Sequence, residues 1–210
     1  MERALGMDNM QPGTLLFDVG GVLVDWDGIK PLQALSGGRL SSEAARRFWL
    51  ESSWVVEFES GRCPADRFAA GVVEELVLPV SPGQFLEHFI SWDRGLFPGA
   101  IDLLKKLKPG FVLACLSNNN ALHWGALQRE TGLQRLFHHC FISCEIGLMK
   151  PDLRAFEYVL DSLKTPAREI AFFDDNPECI AAARRTGMDA HLVRGVEQVK
   201  TALARINISL

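Results

Sequence analysis

Short apolar runs alternate along this chain with longer amphipathic segments, and this alternation restricts the fold more than any other feature. Five runs have the length and composition of buried strands: TLLFDVGG, FVLACLSN, CFIS, EIAFFDD and AHLV. The segments between them have the start and stop signals of helices. Pro98 and Pro151 each begin one, and Asn176-Pro177 begins another that ends at Gly187. This order predicts an α/β fold, a doubly wound (Rossmann-like) parallel sheet with helices on both faces.

Residues 26–97 interrupt the alternation. They contain four of the five tryptophans and no convincing strand, and Phe68, Val72 and Leu76 follow helical spacing. We therefore expect a helical cap inserted over the carboxyl edge of the sheet. The predicted domains are a core of residues 14–25 and 98–210 and a cap of residues 26–97. Residues 1–13 lack periodicity and end in Pro-Gly, which predicts a disordered N-terminus.

The composition excludes several classes of protein. Lys plus Arg number 22 against 26 for Asp plus Glu, a net charge of −4, which argues against nucleic-acid binding. No run reaches the ~18 apolar residues of a membrane span, and the start lacks the pattern of a secretory signal. Five cysteines without a CxxC pair predict reduced thiols in a cytoplasmic protein.

His138, His139, Cys140 and Cys144 have the residue types of a zinc site. The segment CFISC reads as a strand, in which Cys140 and Cys144 would lie about 13 Å apart. Two thiolates so far apart cannot bind one tetrahedral ion. We therefore expect buried thiols beside ordinary histidines.

Polar residues follow four of the predicted strands, where ligands bind in open parallel sheets. Taken singly, each has an ordinary explanation as a turn former, helix cap or solvated charge. Together, and in this order, they predict one site made of Asp18, Ser117-Asn118, Lys150 and Asp174-Asp175.

The chemistry of this group is consistent with phosphoryl transfer. Three carboxylates at one edge repel one another unless a cation neutralises them. Oxygen ligands without histidine or thiolate suit Mg²⁺. A lysine and a serine supply positive charge and hydrogen bonds to a phosphoryl group, and an ionised aspartate is a competent nucleophile.

The phrases FDVGGVLVD, LSNNN, GLMKPD and FFDDN resemble the four motifs of the haloacid dehalogenase superfamily, and the likeness extends over residues 14–194. They are most similar to the bacterial sugar-phosphatase branch typified by alpha-D-glucose-1-phosphate phosphatase. The resemblance implies that Asp18 is the nucleophile, that Ser117 and Lys150 form motifs II and III, and that Asp174 and Asp175 form motif IV. The insertion matches the helical cap of that superfamily.

The resemblance also implies the reaction, a Mg²⁺-dependent hydrolysis of a small phosphorylated metabolite, here a sugar phosphate, through an aspartyl-phosphate. Asp18, the carbonyl of Gly20 and Asp175 are expected to hold the metal, with Asp174 supporting it. Ser117, the Asn118 backbone and Lys150 are expected to bind the phosphate.

Gly20 is a departure from most phosphatases of the superfamily, which have a second aspartate there as general acid and base. The resembling branch also has glycine. General acid–base catalysis typically increases the reaction rate by 10²–10⁴-fold. Because Gly20 cannot protonate the leaving oxygen, we expect substrates with good leaving groups, such as anomeric sugar phosphates or aryl phosphates. Asp25, a cap residue or water are the candidate substitutes.

Two other functions stay open at this stage. A 2-haloacid dehalogenase would need no leaving-group proton, but it needs no metal either, which leaves the Asp174-Asp175 pair unexplained. A non-catalytic binding module on the same fold is the second. The substrate and the oligomeric state are not specified, and the candidates to face the cleft from the cap are Trp26, Trp49, Trp54, Glu57 and Trp92.

Overall fold

Five parallel strands form the central sheet of the computed structural model, which describes residues 11–210. The strand order is β5-β4-β1-β6-β7, so the chain builds outward from β1 on one side and then on the other. This is the predicted doubly wound α/β fold. The strands are β1 (Thr14–Phe17), β4 (Val112–Ser117), β5 (His139–Ile142), β6 (Ile170–Asp174) and β7 (Asp189–Leu192).

Both faces of the sheet are buried. Alternate residues of each strand point to opposite faces, so each strand contributes to two apolar clusters. Leu15 and Phe17 face one apolar cluster, and Leu16 faces the other. The first cluster is covered by α6 (Ala100–Leu107), α7 (Ala121–Thr131) and α11 (Gly195–Arg205), and the second by α9 (Leu153–Leu163) and α10 (Pro177–Arg185). Two 3₁₀ turns, Leu133–Leu136 and Ala167–Glu169, complete the connections.

Five helices lie in the inserted segment, and we call them the cap helices. Phe58, Phe68 and Phe89 are at the centre of their own apolar cluster, where the rings of Phe58 and Phe68 stack 4.2 Å apart. The cap helices are α1 (Ile29–Leu35), α2 (Ser42–Glu51), α3 (Ser53–Glu59), α4 (Ala65–Glu75) and α5 (Pro82–Ile90). The domain boundaries at 26 and 97 stay a prediction. Within residues 11–210, no helix is both long and apolar enough to cross a bilayer.

The expectation that the insertion contains no strand is wrong at its ends. Val24–Trp26 (β2) pairs antiparallel with Asp93–Leu96 (β3) where the chain leaves and re-enters the core. The two passages run side by side, so their backbones pair although the sequence DRGL has no apolar alternation.

Two further boundaries differ from the predictions. The segment CFISC is not one strand, because β5 ends at Ile142 and Cys144 lies in the short helix α8 (Ser143–Ile146). The N-terminal segment is ordered by residue 13, since the Gly13 N–H donates to Glu169 and its carbonyl accepts from Val112. Residues 1–10 of the predicted disordered segment lie outside the described residues.

The end of α3 packs closely against α8 of the core. The Ser143 hydroxyl donates to the Glu59 carbonyl at 2.5 Å and accepts from the Asn119 N–H at 2.9 Å. Gly61 has a φ of +74°, and a Cβ built there would lie 2.3 Å from the Cys144 carbonyl oxygen. Only glycine permits this approach of the two backbones.

Replacement of Gly61 by alanine tests this contact. Gly61→Ala is expected to reduce the free energy of unfolding by about 1 kcal/mol for the left-handed backbone and by roughly 1–3 kcal/mol more for the overlap with Cys144. Gly37→Ala is the matched control, because Gly37 has a φ of +67° but nothing within 4 Å. Urea unfolding measures both, and equal losses in the two variants would contradict a close contact at Gly61.

Candidate active site

The carboxyl ends of β1, β4 and β6 open into a cavity of about 470 Å³ between the sheet and the cap helices. Asp18 follows β1 directly, Ser117 ends β4 and Asp174 ends β6, so three adjacent strands carry polar groups to one edge. The residues predicted from the sequence to form the site all line this cavity: Asp18, Gly20, Ser117, Asn118, Lys150, Asp174 and Asp175.

Lys150 lies between two buried carboxylates at the floor of the cavity. Its Nζ is 2.9 Å from Asp18 Oδ1 and 2.6 Å from Asp174 Oδ2, and the lysine side chain is 3% exposed. Burial acts to lower the pKa of Lys150, but the negative charges of Asp174 and Asp18 outweigh it, and the pKa is raised above its ordinary value. The two carboxylates therefore favour the charged form of the ammonium group.

Asn118 positions Lys150 through its side chain. Its Oδ1 accepts from the Lys150 N–H, and its Nδ2 donates to the Lys150 carbonyl, both at 2.8 Å. Both polar atoms of the Asn118 amide thus hydrogen bond to the backbone of Lys150, which lies 32 positions further along the chain. The sequence predicts a role only for the backbone of Asn118, and no local pattern indicates this contact of its side chain.

One carboxylate oxygen of Asp18, Oδ1, contacts both Lys150 and the backbone of the next residue. Its Oδ1 accepts from the Val19 N–H at 2.7 Å. Burial raises the pKa of Asp18 to about 7; Lys150 lowers it, and the neighbouring charges of Asp174 and Asp175 raise it again. Ionised Asp18 is therefore disfavoured by burial and by the like charges of Asp174 and Asp175, and a further cation would relieve this.

The carboxylates of Asp18, Asp174 and Asp175 offer oxygens that all lie within 4.8 Å of one another. Among residues 11–210 this is the one group of three or more residues with the spacing of a metal site, and it includes neither cysteine nor histidine. Burial, followed by the charge of Asp174, raises the pKa of Asp175. A set of oxygen donors that repel one another fits a hard divalent cation such as Mg²⁺.

Gly21 leaves room for the third carboxylate. Its φ is +74°, and a Cβ there would lie 2.2 Å from Asp175 Oδ2. The second glycine of the FDVGG segment is therefore required for the position of Asp175. Gly20 differs, because its backbone conformation is ordinary and a Cβ built there would have only the Trp26 Cβ, at 4.0 Å, as a neighbour.

The cap side of the cavity differs from the prediction. Trp26 and Trp49 line it, whereas Trp54, Glu57 and Trp92 do not. Trp92 is buried in the core of the cap helices, and Trp54 packs over Gly71. The candidate substitute acid Asp25 also lies outside the lining, 3.6 Å from Arg94.

Glu59, at the end of α3, lines the cavity and was not predicted. Burial raises the pKa of Glu59 to about 7, and the charge of Asp18 adds to the effect. Its proximity to the site results from the docking of α3 on α8, which no local sequence pattern indicates.

Comparison with known proteins identifies the class of hydrolase. The model of the haloacid dehalogenase-like hydrolases matches residues 13–187. The chain belongs to this family, and the prediction that it is an enzyme of this superfamily is confirmed.

Curated relatives include proteins named as phosphatases. The chain is 31% identical to the sesquiterpene phosphatase astK of Aspergillus oryzae over 82% of its own length and 85% of that protein's. It is 26% identical to the phosphatase MT3486 of Mycobacterium tuberculosis over 93% of its own length and 94% of that protein's. It is also 28% identical to the drimenol cyclase drtB of Aspergillus calidoustus, of which it spans only 36%.

Solved structures show the same fold. One is the HAD family enzyme bt-2542 of Bacteroides thetaiotaomicron, in complex with magnesium and inorganic phosphate. The TM-score is 0.74 at 23% identity, over 87% of this chain and 94% of that chain.

Asp18→Asn removes a carboxylate whose charge is unfavourable in the folded chain. Because the folded pKa is raised above that of an unfolded aspartate, ionised Asp18 destabilises the fold fully above about pH 7 and not below about pH 4. In EDTA at pH 8 we expect the variant to be more stable than the wild type by on the order of 2 kcal/mol. This gain should shrink as the pH falls towards 4.

Urea unfolding at the two pH values measures the difference, and Mg²⁺ titration provides the complement. Added Mg²⁺ should raise the melting temperature of the wild type more than that of the variant, since the wild type has one more ligand. A variant that is less stable than the wild type in EDTA at pH 8 would show that the Asp18 charge is not crowded.

Proposed function

We propose that this chain is a Mg²⁺-dependent phosphomonoesterase that works through an aspartyl-phosphate on Asp18. The observation that carries the proposal is the arrangement of Asp18, Asp174 and Asp175 within 4.8 Å around the buried ammonium group of Lys150. Nucleophile, cation and metal-binding oxygens lie at one edge of the sheet, as phosphoryl transfer requires.

The residues of the site have separate tasks in this proposal. Asp18 attacks phosphorus, and Lys150 neutralises charge on the nucleophile and on the transferred group. Ser117 and the Asn118 backbone bind phosphate oxygens, while the Asn118 side chain keeps Lys150 in place. Water then hydrolyses the aspartyl-phosphate and regenerates Asp18.

Asp18, the Gly20 carbonyl and Asp175 are the ligands proposed for Mg²⁺, with Asp174 supporting them. The metal would neutralise the three carboxylates and polarise the phosphoryl group. The metal-bound neighbour supports this proposal at the level of the fold.

The charges of the cavity argue against the dehalogenase reaction. Among the described residues that line it, Lys150 is the single lysine or arginine, and it is already paired with two carboxylates. A 2-haloacid carries its own carboxylate, which would be repelled by Asp174 and Asp175. Asp93, Asp152 and Glu178 also line the cavity, and their charges disfavour phosphomonoesters with a second anionic group.

The leaving group of the substrate meets an aromatic wall. Trp26 and Trp49 line the cavity with their rings 5.6 Å apart, in an edge-to-face arrangement. Such a wall accommodates the apolar face of a sugar, as expected from the sugar-phosphatase resemblance, or a hydrocarbon chain. The relative named a sesquiterpene phosphatase makes the second class worth testing beside the first.

The unpaired thiols of Cys63, Cys115, Cys140, Cys144 and Cys179 are compatible with the cytoplasmic location predicted from the sequence, which stays a prediction.

The central test is turnover of p-nitrophenyl phosphate with Mg²⁺ and with EDTA. The wild type should release p-nitrophenol only with the metal, and Asp18→Asn should lower the rate by at least about 10⁴-fold, because it removes the nucleophile. Circular dichroism of the variant controls for folding.

The same assay separates the other functions. Halide release from chloroacetate without a metal would identify a dehalogenase. Silence with both substrates would favour a binding module, and retained phosphatase activity in Asp18→Asn would refute the mechanism.

A panel of phosphomonoesters tests the charge of the cavity. At equal Mg²⁺, kcat/KM should be about 10-fold or more lower for substrates with a second phosphate or a carboxylate than for neutral alcohol phosphates of similar size, as one unfavourable charge contact of ~1–2 kcal/mol requires. Comparable kcat/KM values in the two groups would contradict this charge selection.

A further inference from the structure

The proposed phosphatase has no side-chain proton donor at position 20, where most phosphatases of the superfamily have one. The phosphorus–oxygen bond to an alcohol breaks slowly unless the leaving oxygen receives a proton. Gly20 has no side chain, Asp25 lies outside the cavity, and Lys150 is paired with Asp18 and Asp174.

Apart from Asp18, Asp174, Asp175 and Glu59, the carboxyl and imidazole groups that line the cavity are those of Asp93, His123, Asp152 and Glu178. His123 hydrogen bonds to the Phe89 carbonyl, Asp152 accepts from Arg154 and Asp93 accepts from the Gly95 N–H, while Glu178 lies in the first turn of α10. The cap helices form the opposite wall of the cavity and can supply the donor from there.

Glu59 meets this requirement. It is the carboxylic acid that the cap helices contribute to the cavity within the described chain, and its charge interacts with Asp18 and Lys150. Its carboxyl group has no hydrogen-bond partner among residues 11–210, so both oxygens are available to a bound ligand.

The backbone of Glu59 is fixed to the phosphate side of the cavity. The Ser143 hydroxyl joins the Glu59 carbonyl to the Asn119 N–H, one residue beyond the predicted phosphate-binding Asn118. The close packing at Gly61 holds the next turn against α8. The cap carboxyl is thus placed by two contacts with the core rather than by a free loop.

We propose that Glu59 is the general acid and base of the phosphatase reaction, in place of the side chain that position 20 lacks. This inference rests on the proposed function. A pKa of about 7, set by burial and by the charge of Asp18, is matched to proton donation near neutral pH.

The two half-reactions balance around one proton. In the first, Asp18 Oδ bonds to phosphorus, the bond from phosphorus to the leaving oxygen breaks, and that oxygen takes its electron pair and the Glu59 proton. In the second, water attacks phosphorus and gives a proton to the Glu59 carboxylate, while the bond to Asp18 breaks and restores its carboxylate. The net reaction consumes the phosphomonoester and water and yields the alcohol and phosphate.

The test compares two substrates of similar size, p-nitrophenyl phosphate and p-nitrobenzyl phosphate. The first leaving group departs as a stable anion, and the second needs a proton. Glu59→Gln should lower kcat/KM, which reports formation of the aspartyl-phosphate and not its hydrolysis, by about 10²-fold or more on the benzyl ester and by only a few-fold on the aryl ester. Glu57→Gln, on the same helix but outside the cavity lining, is the matched control and should leave both rates at the wild-type level.

Gly20→Asp provides a second, independent measurement. The backbone at residue 20 accepts a side chain, and a Cβ there has room. The added aspartate should raise the rate on p-nitrobenzyl phosphate by a larger factor in the Glu59→Gln background than in the background with Glu59, because Glu59 already supplies the proton there.

The outcomes separate the two proposals. If the wild type hydrolyses p-nitrophenyl phosphate and Asp18→Asn does not, the phosphatase stands. Equal losses on both esters in Glu59→Gln, no loss on either, or equal gains from Gly20→Asp in both backgrounds would then overturn the role of Glu59 alone.

Discussion

The ammonium group of Lys150 lies between two buried carboxylates, and the geometry of the whole sheet edge depends on this contact. Without it, Asp18 and Asp174 would face each other with no compensating charge in a largely buried position. The lysine only partly compensates, because the pKa of Asp18 is still raised. The site is therefore arranged around a remaining negative charge, which a divalent cation and an electrophilic phosphorus can both relieve.

The cap helices and the core share more than the wall of a cavity. Ser143, at the start of α8, contacts both the loop after β4 and the end of α3, so a single hydroxyl connects the predicted phosphate-binding segment with the cap. Gly61 allows the backbones to approach at the same place. The position of the cap relative to Asp18 is thus determined by main-chain contacts, and a side chain at the end of α3 can be aimed at the reacting atoms.

The parts of the structure that sequence reasoning found are those set by local rules. The order of strands and helices follows from the apolar runs and from the proline, asparagine and glycine residues at helix ends. The site residues follow from the rule that parallel strands present their carboxyl ends at one edge of the sheet. The missed parts depend on distant contacts. β3 is polar and pairs only because its partner β2 runs beside it, and Glu59 reaches the cavity through a hydrogen bond between residues 84 positions apart. Neither leaves a periodic pattern in the chain.

Gly20 illustrates how a local departure changes the role of a distant element. A side chain at this position meets no steric barrier, so the glycine is not explained by packing, in contrast to Gly21, which must be small to admit Asp175. The proposed consequence is chemical: the general acid lies on the cap helices instead of the core. A donor on the core is present whether or not the cap is docked, whereas Glu59 faces Asp18 only in the docked arrangement. In the proposed mechanism, proton delivery therefore depends on the contacts of Ser143 and Gly61 that hold the cap helices on the core, a dependence that an acid at position 20 would not have.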